Sequence, residues 1–336
     1  MKIVIATGIY PPAIGGPAQY AKELAEAFRG RGKEVRVLTY GLEKYLPTGV
    51  RHLWFFLRAF FAFASADLII AFDTFSVGLP SVAAAKILGK KIIIRTGGDF
   101  LWEGFVERTG NLVLFRDFYR TCLYKLNAKE KIIFLLTKWT IRNASAIVFS
   151  TKWQKEIWRE PYALVEMKCR VIENFYALPL NKPRSWLNEE KVFIAGTRNL
   201  KWKNIALLRR AFALAKARRP ELVLDLETAT YEKFQEKIRN AHAVILVSLG
   251  DISPNMILDA IRAGMTFILT RECGILDRVA EHAVLVDPKD EREIAEKILW
   301  LADEKNYREQ LEKLASFKFS HSWNEISEEF LAVLEK

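Results

Sequence analysis

From Ala243 to Leu269 the chain reads Ala243-Val244-Ile245-Leu246-Val247, then Ser248-Leu249-Gly250-Asp251-Ile252-Ser253-Pro254-Asn255, then an apolar stretch carrying Asp259, then Gly264 and Thr266-Phe267-Ile268-Leu269. Two short β-rich runs flank a stretch of helical character, a pattern expected of parallel strands covered by helices. Ser253 as a cap and Pro254 at the first helical position mark where the helix starts. The N–H groups of Asn255 and Met256 then lack partners inside the helix and are free for phosphate oxygens. Asp251 precedes this start, and Asp259 lies about two turns in at ~1.5 Å rise per residue. One carboxylate can then reach a sugar ring while the other holds ribose hydroxyls, with a diphosphate between them. The plainer reading is a capped helix with Asp251 as a dipole partner and Asp259 on a solvated face. It leaves unexplained why an otherwise apolar helix carries an acid beside Leu258 and Ala260.

The same alternation fills nearly the whole chain. Expected strands are Lys2–Ala6, Glu34–Thr39, Asp67–Ala71, Lys91–Arg95, Ala146–Ser150 and Arg170–Ile172, then Lys191–Ala195, Leu222–Asp225, Ala243–Val247, Thr266–Leu269 and Ala283–Val286. Helical stretches in the first half are Ala18–Arg29, Arg51–Ala64, Val77–Leu88 and segments within Leu112–Arg142. The segment Asn174–Glu190 loses the pattern, holds Pro179 and Pro183, and reads as a linker. With 336 residues there is room for two ordinary α/β domains. The expected fold is therefore α/β, with two doubly wound, Rossmann-like parallel sheets and a cleft between them as the default binding site. The expected domains are residues 1–175 and 176–318.

Composition narrows the class. Hydrophobic residues make up 51% and charged residues 27%, which excludes a disordered chain. Three cysteines, Cys122, Cys169 and Cys273, match no metal or redox spacing, and an odd number cannot pair completely. A reducing, cytoplasmic compartment is expected. The start of the chain meets Tyr10-Pro11-Pro12 too soon to read as a signal peptide. The most apolar stretch, Leu53 to Ala66, is broken by Arg58 and is shorter than a membrane span. Residues 1–175 carry 26 Lys and Arg against 15 Asp and Glu, whereas residues 176–336 carry 25 of each. The whole excess of +11 thus sits in the first half and calls for an anionic partner.

Two further loops follow strand ends. Thr7 to Pro17 closes on Gly15-Gly16-Pro17, where two glycines allow close backbone approach and a helix start favours an anion. It is not the G-x-G-x-x-G of a nicotinamide site. After Lys191–Ala195 come Gly196-Thr197-Arg198 and then Lys203, two cations able to neutralise a leaving diphosphate. Lys201, Arg209 and Arg210 nearby keep a merely solvated basic loop open as the alternative.

Taken together, these motifs resemble a family 4 glycosyltransferase with the two-domain GT-B fold. Such enzymes carry two acids eight residues apart at this helix start, and Asp251 and Asp259 match the spacing, with Asp where Glu is usual. Arg198 and Lys203 match the phosphate-binding cations, and Gly15-Gly16 the N-terminal loop. Gly98-Asp99-Phe100-Leu101-Trp102-Glu103 is similar to an acceptor-domain motif, which implies acceptor-side roles for Asp99, Trp102 and Glu103. Ser322-Trp323-Asn324-Glu325 resembles the start of a final helix, within 319–336, that packs back on the first domain. The resemblance implies a retaining, hexosyltransferase-type enzyme that uses a nucleotide-diphosphate sugar and needs no metal or other cofactor. In that picture Arg198, Lys203 and Asp251 are catalytic, and Gly15, Gly16, Ser253, Asn255, Met256 and Asp259 bind the donor. A saccharide or lipid-linked acceptor of cell-envelope polysaccharide is implied.

Where the family often has a histidine after its third strand, this chain places Asp73, a second candidate for orienting an acceptor hydroxyl. His52, His242, His282 and His321 sit in no convincing motif and are expected to pack or face solvent. His52-Leu53-Trp54-Phe55-Phe56-Leu57-Arg58 mixes cations and aromatics, so an interfacial helix on an anionic membrane surface competes with plain packing on the sheet. No nucleic-acid module is present. The alternatives carried are a nucleotide-sugar epimerase of the same fold and a non-catalytic protein that binds sugar nucleotides or membrane surfaces.

Overall fold

The computed structural model describes residues 1–13, 15–179, 190–195, 199–227 and 229–333. The chain divides into two compact units, Met1–Leu101 with Tyr124–Asn174 and His321–Lys336, and Trp102–Leu123 with Phe175–Ser320. The alternation of strands and helices assigns all of residues 1–175 to the first domain. In the structure Trp102–Leu123 groups with the second unit, and the C-terminal segment groups with the first.

The first half runs β1 (Lys2–Thr7), α1 (Gly16–Gly30), β2 (Glu34–Thr39), α2 (Val50–Phe63), β3 (Leu68–Phe72), α3 (Gly78–Ile87), β4 (Ile92–Thr96), α4 (Phe100–Thr109), α5 (Phe115–Thr121), α6 (Ala128–Asn143), β5 (Ala146–Phe149), α7 (Lys152–Arg159) and β6 (Cys169–Val171). Its sheet is parallel, in the order β2-β1-β3-β4-β5-β6. Strands β3, β4 and β5 are buried on both faces, which is why they read as unbroken apolar runs. Edge strand β2 alternates instead.

The second half runs β7 (Lys191–Ile194), α8 (Ile205–Arg218), β8 (Leu222–Asp225), α9 (Tyr231–Asn240), β9 (Ala243–Leu246), α10 (Asn255–Arg262), β10 (Phe267–Thr270), α11 (Leu276–Val279), β11 (Val284–Val286), α12 (Glu291–Ala302), α13 (Glu304–Ala315) and α14 (Trp323–Ala332). Its parallel sheet has the order β11-β10-β9-β7-β8. Successive strand residues supply opposite cores: Phe193, Ile245 and Ile268 on one face, Ile194, Val244 and Leu269 on the other. All eleven expected strands form, each within a residue at either end of its expected bounds.

The final helix belongs to the first unit. Ser322 and Glu325 form a capping box at the start of α14, and Trp323 meets Tyr20 of α1 edge-on at 4.9 Å. Among the described residues no helix is long and apolar enough to cross a membrane.

Candidate active site

In each sheet the strand order reverses once, between β1 and β3 in the first and between β7 and β9 in the second. Loops leaving such neighbours run to opposite faces and leave a crevice at the carboxyl edge, where ligands of open α/β sheets bind. Lys203 and Asp251 stand on the two loops that flank the second reversal. The first of these ends in one 3₁₀ turn, Lys201–Lys203, stopped by Asn204 at φ 60°. The buried Asn204 amide donates to the carbonyls of Val247 (3.2 Å) and Pro288 (2.6 Å), and the Leu249 N–H donates to the Trp202 carbonyl (2.9 Å). This lacing brings the Lys203 Nζ to 2.6 Å from Asp251 Oδ2, with only 13% and 12% of the two side chains exposed. Ser248 Oγ donates to the same oxygen at 3.4 Å, and the ammonium lies 4.3 Å over the Trp202 ring. The Asp251 backbone is fixed on both sides, its N–H donating to Glu272 and its carbonyl accepting from Gly274. Burial, and next the Asp251 charge, pushes the Cys273 thiol up, so it stays protonated. Arg198, with Gly196 and Thr197, lies outside the described residues.

Helix α10 begins later than the sequence suggests. Ser253 is not its cap: Pro254 takes that position in extended backbone, with no side-chain cap bond, and its carbonyl accepts from Ile257 and Leu258. Proline fixes φ near −65° and carries no N–H, so it can precede the first helical residue as readily as fill it. Asn255 and Met256 remain the first two N–H groups of the helix. Asp259, half-buried, sits four residues from that start and so just into the second turn.

Side chains distant in sequence hold this loop, among them Trp102, expected on the acceptor side. Trp102 is buried between Phe115 (centroids 5.2 Å) and Trp202 (5.5 Å), and its indole N–H donates to the Val113 carbonyl. The Phe115 N–H donates to Leu249, and the Arg116 guanidinium grips buried Glu272, whose carbonyl holds Asp251. Glu107 accepts from the Lys201 N–H at 2.7 Å. The segment Trp102–Leu123 is thus a strap across both candidate loops. The one local signal is Gly250: a Cβ there would lie 2.5 Å from Phe115 Cβ.

At the first reversal stand Gly15, Gly16 and Asp73. Gly15 has φ 156° and Gly16 opens α1 with Pro17 behind it. Asp73, at φ 121°, turns its carboxylate onto its own loop, accepting from the N–H groups of Phe75, Val77 and Gly78. Burial nevertheless pushes its acid up to about 6, those bonds opposing the shift. Asp99 is buried and accepts from the Trp158 indole at 2.7 Å. Glu103 is half-exposed on α4. The histidines pack: His52 on Phe75, His242 on Tyr307, His282 on Phe317, and His321 beneath the Asn174 carbonyl.

The family model described as Glycosyltransferase Family 4 matches residues 14–178. Among solved structures, sucrose-phosphate synthase from Thermosynechococcus elongatus superposes with a TM-score of 0.71 at 15% identity, over 99% of this chain and 98% of that one. WaaG, a glycosyltransferase involved in lipopolysaccharide biosynthesis, gives 0.71 at 11% identity over 99% and 100%. Anabaena HepE in complex with UDP gives 0.69 at 13% identity over 100% of both chains. No curated protein matches in sequence. The fold is the α/β, two-domain fold of GT-B glycosyltransferases.

Proposed function

We propose that this chain, whose residues 14–178 belong to Glycosyltransferase Family 4, moves a hexosyl group from a nucleotide-diphosphate sugar to a hydroxyl of a glycan or lipid-linked saccharide. The anomeric configuration is retained, and no metal or other cofactor takes part. The observation that carries the reading is the nearly buried Lys203–Asp251 pair on the two loops at the sheet reversal, just ahead of the free N–H groups of α10. A buried ion pair adds little stability over apolar packing, so its presence at a ligand edge asks for another reason. An arriving diphosphate supplies one, since it takes up the ammonium and leaves the carboxylate for the sugar.

In the reaction the bond from the anomeric carbon to the diphosphate oxygen breaks. The acceptor oxygen bonds to that carbon, and the acceptor proton passes to the departing phosphate. Developing charge on the diphosphate is met by Lys203, by the N–H groups of Asn255 and Met256 and, from its spacing, by Arg198. Asp251 positions the sugar and Asp259 the ribose. Ser253, Gly15 and Gly16 belong to the donor side and Asp73, Asp99 and Glu103 to the acceptor side, whereas Trp102, buried against Trp202 and Phe115, supports the Asp251 loop. The UDP held by HepE supports a nucleotide diphosphate as ligand. The reading places the enzyme in the cytoplasm or on the inner face of the cell membrane, in cell-envelope polysaccharide assembly.

The test is turnover with a panel of nucleotide sugars, with and without saccharide acceptors and chelator. Lys203→Ala should lower transfer by on the order of 10²–10³, or ~2.7–4 kcal/mol. The paired variant Lys203→Met with Asp251→Asn removes both charges, so a folded but inactive product separates chemistry from folding. Near-normal transfer by both variants, isomerisation of donor without acceptor, or loss of activity to chelator would each overturn the reading.

A further inference from the structure

Helix α2 is apolar on two sides. Phe55, Ala59, Ala62 and Phe63 are buried, while Val50, Leu53, Trp54, Leu57 and Phe61 stand in solvent, Leu53 at 62% and Phe61 at 76% exposure. Steps of three and four residues set those five along one stripe. On α6 the pattern recurs with Ile132, Leu135 and Trp139 exposed. Helix α3 packs against both, and its Lys86 reaches Asn143 and lies 5.8 Å over the Trp139 ring. Scattered exposed apolar residues need no explanation, but aligned stripes on neighbouring helices mark an interaction face.

Charge says what the face meets. These three helices carry seven Lys and Arg and a single acid, Glu130, which is buried in the capping box of α6. Right-handed crossovers place α1 on the other side of the sheet, because β1 to β2 steps one way and β2 through β5 the other. There α1 balances Lys22 and Arg29 with Glu23 and Glu26, and α14, packed on it, has three glutamates and no cation. Positive charge and exposed apolar surface therefore coincide on one side only. Of the α2 cations, Arg58 is turned inward to Glu43 and the Thr39 carbonyl, so the exposed Lys129, Lys131 and Arg142 of α6 supply much of the attraction. Of the aromatics in His52–Arg58, Trp54 is exposed, Phe56 is half-buried and Phe55 is core.

We propose that the α2–α3–α6 face docks on an anionic lipid bilayer, with Leu53, Trp54, Leu57 and Phe61 entering the headgroup boundary and the α6 lysines facing lipid phosphates. An aliphatic and aromatic stripe suits the acyl boundary, which a nucleic acid lacks, and the exposed cations of α6 suit its headgroups. The strands all run parallel, so these helices begin at the carboxyl edge of the first sheet and run away from it. The candidate loops of that edge, at Gly15 and Asp73, thus lie at one end of the docking face. The inference stands on the first unit alone and does not depend on sugar transfer.

The test is co-sedimentation of the full chain with vesicles of phosphatidylcholine alone or mixed with phosphatidylglycerol, over a salt series, with tryptophan emission recorded. Capture by the mixed vesicles alone is expected, weakening with salt as screening shortens to a few ångströms, with a salt-resistant remainder and a blue shift. Lys129→Gln and Lys131→Gln should each lower the partition coefficient about fivefold at low salt. Leu53→Gln with Phe61→Gln should abolish the remainder and the blue shift, and Lys22→Gln on α1 should change neither. Leu53, Phe61, Lys129 and Lys131 are exposed and Lys22 is only partly covered, so the variants should fold. Capture equal on both vesicles, no capture at low salt, or a dimer in light scattering that the Leu53/Phe61 variant dissolves would overturn the proposal. A chain that transfers sugar yet ignores vesicles sinks this inference alone, and one that binds vesicles without transfer sinks only the function proposed above.

Discussion

Asp73 holds a backbone conformation, φ 121°, that its residue type seldom adopts, and uses its carboxylate to gather the N–H groups that open α3. Gly78 permits this: a Cβ there would lie 2.2 Å from the Asp73 carbonyl oxygen. Burial raises the acid from 3.8 to about 6, so the folded chain keeps a proton that the unfolded chain releases earlier. Its contribution to stability is therefore full below pH ~4 and is lost as pH climbs through ~6. Asp73→Asn should gain in melting temperature relative to the parent across that window and run parallel to it above. A constant difference from pH 4 to 8 would mean the carboxyl is already ionised throughout. At this scale spacing singles out Lys203 and Asp251 separately, one after Arg198 and the other ahead of Asp259, and only the fold pairs their side chains. The sequence misleads at Ser253, because a serine before a proline fits either of two helix starts one residue apart.

Among the elements, the strap Trp102–Leu123 is the one that strand and helix periodicity cannot place. Its helices α4 and α5 are short, and what fixes them is contact with residues about 100 to 150 positions onward: Trp202, Leu249 and Glu272. Arg116→Ala should leave the Glu272 carboxylate buried with its strongest partner gone. The cost is about 1–3 kcal/mol, at the lower end because the arginine is itself half-exposed. Hydrogen exchange should then quicken in residues 102–123 and 249–251 together. Faster exchange in the strap alone would show that it does not hold the Asp251 loop. The opposite case is α14, whose capping box is readable from Ser322 and Glu325 but whose partner, Tyr20, lies some 300 residues earlier.

On the scale of the molecule, each unit takes in a piece of chain that sequence order would give to the other. Ile326 and Phe330 of α14 are fully buried in the first unit, so Phe330→Ala should destabilise that unit by ~3–5 kcal/mol. Exchange in β1 and α1 should rise while β9 and β10 keep their protection; a uniform rise would mean the two units unfold as one. The eleven strands, the two parallel sheets and the uneven distribution of charge follow from sequence, because alternation, turn residues and ionisable groups are properties of a segment and its near neighbours. Which side of the first sheet bears the charge, which faces of α2 and α6 stay in solvent, and which side chains hold Asp251 were decided by tertiary structure. Those depend on crossover direction and on packing between residues far apart in the chain, and no local pattern carries the energies of such contacts.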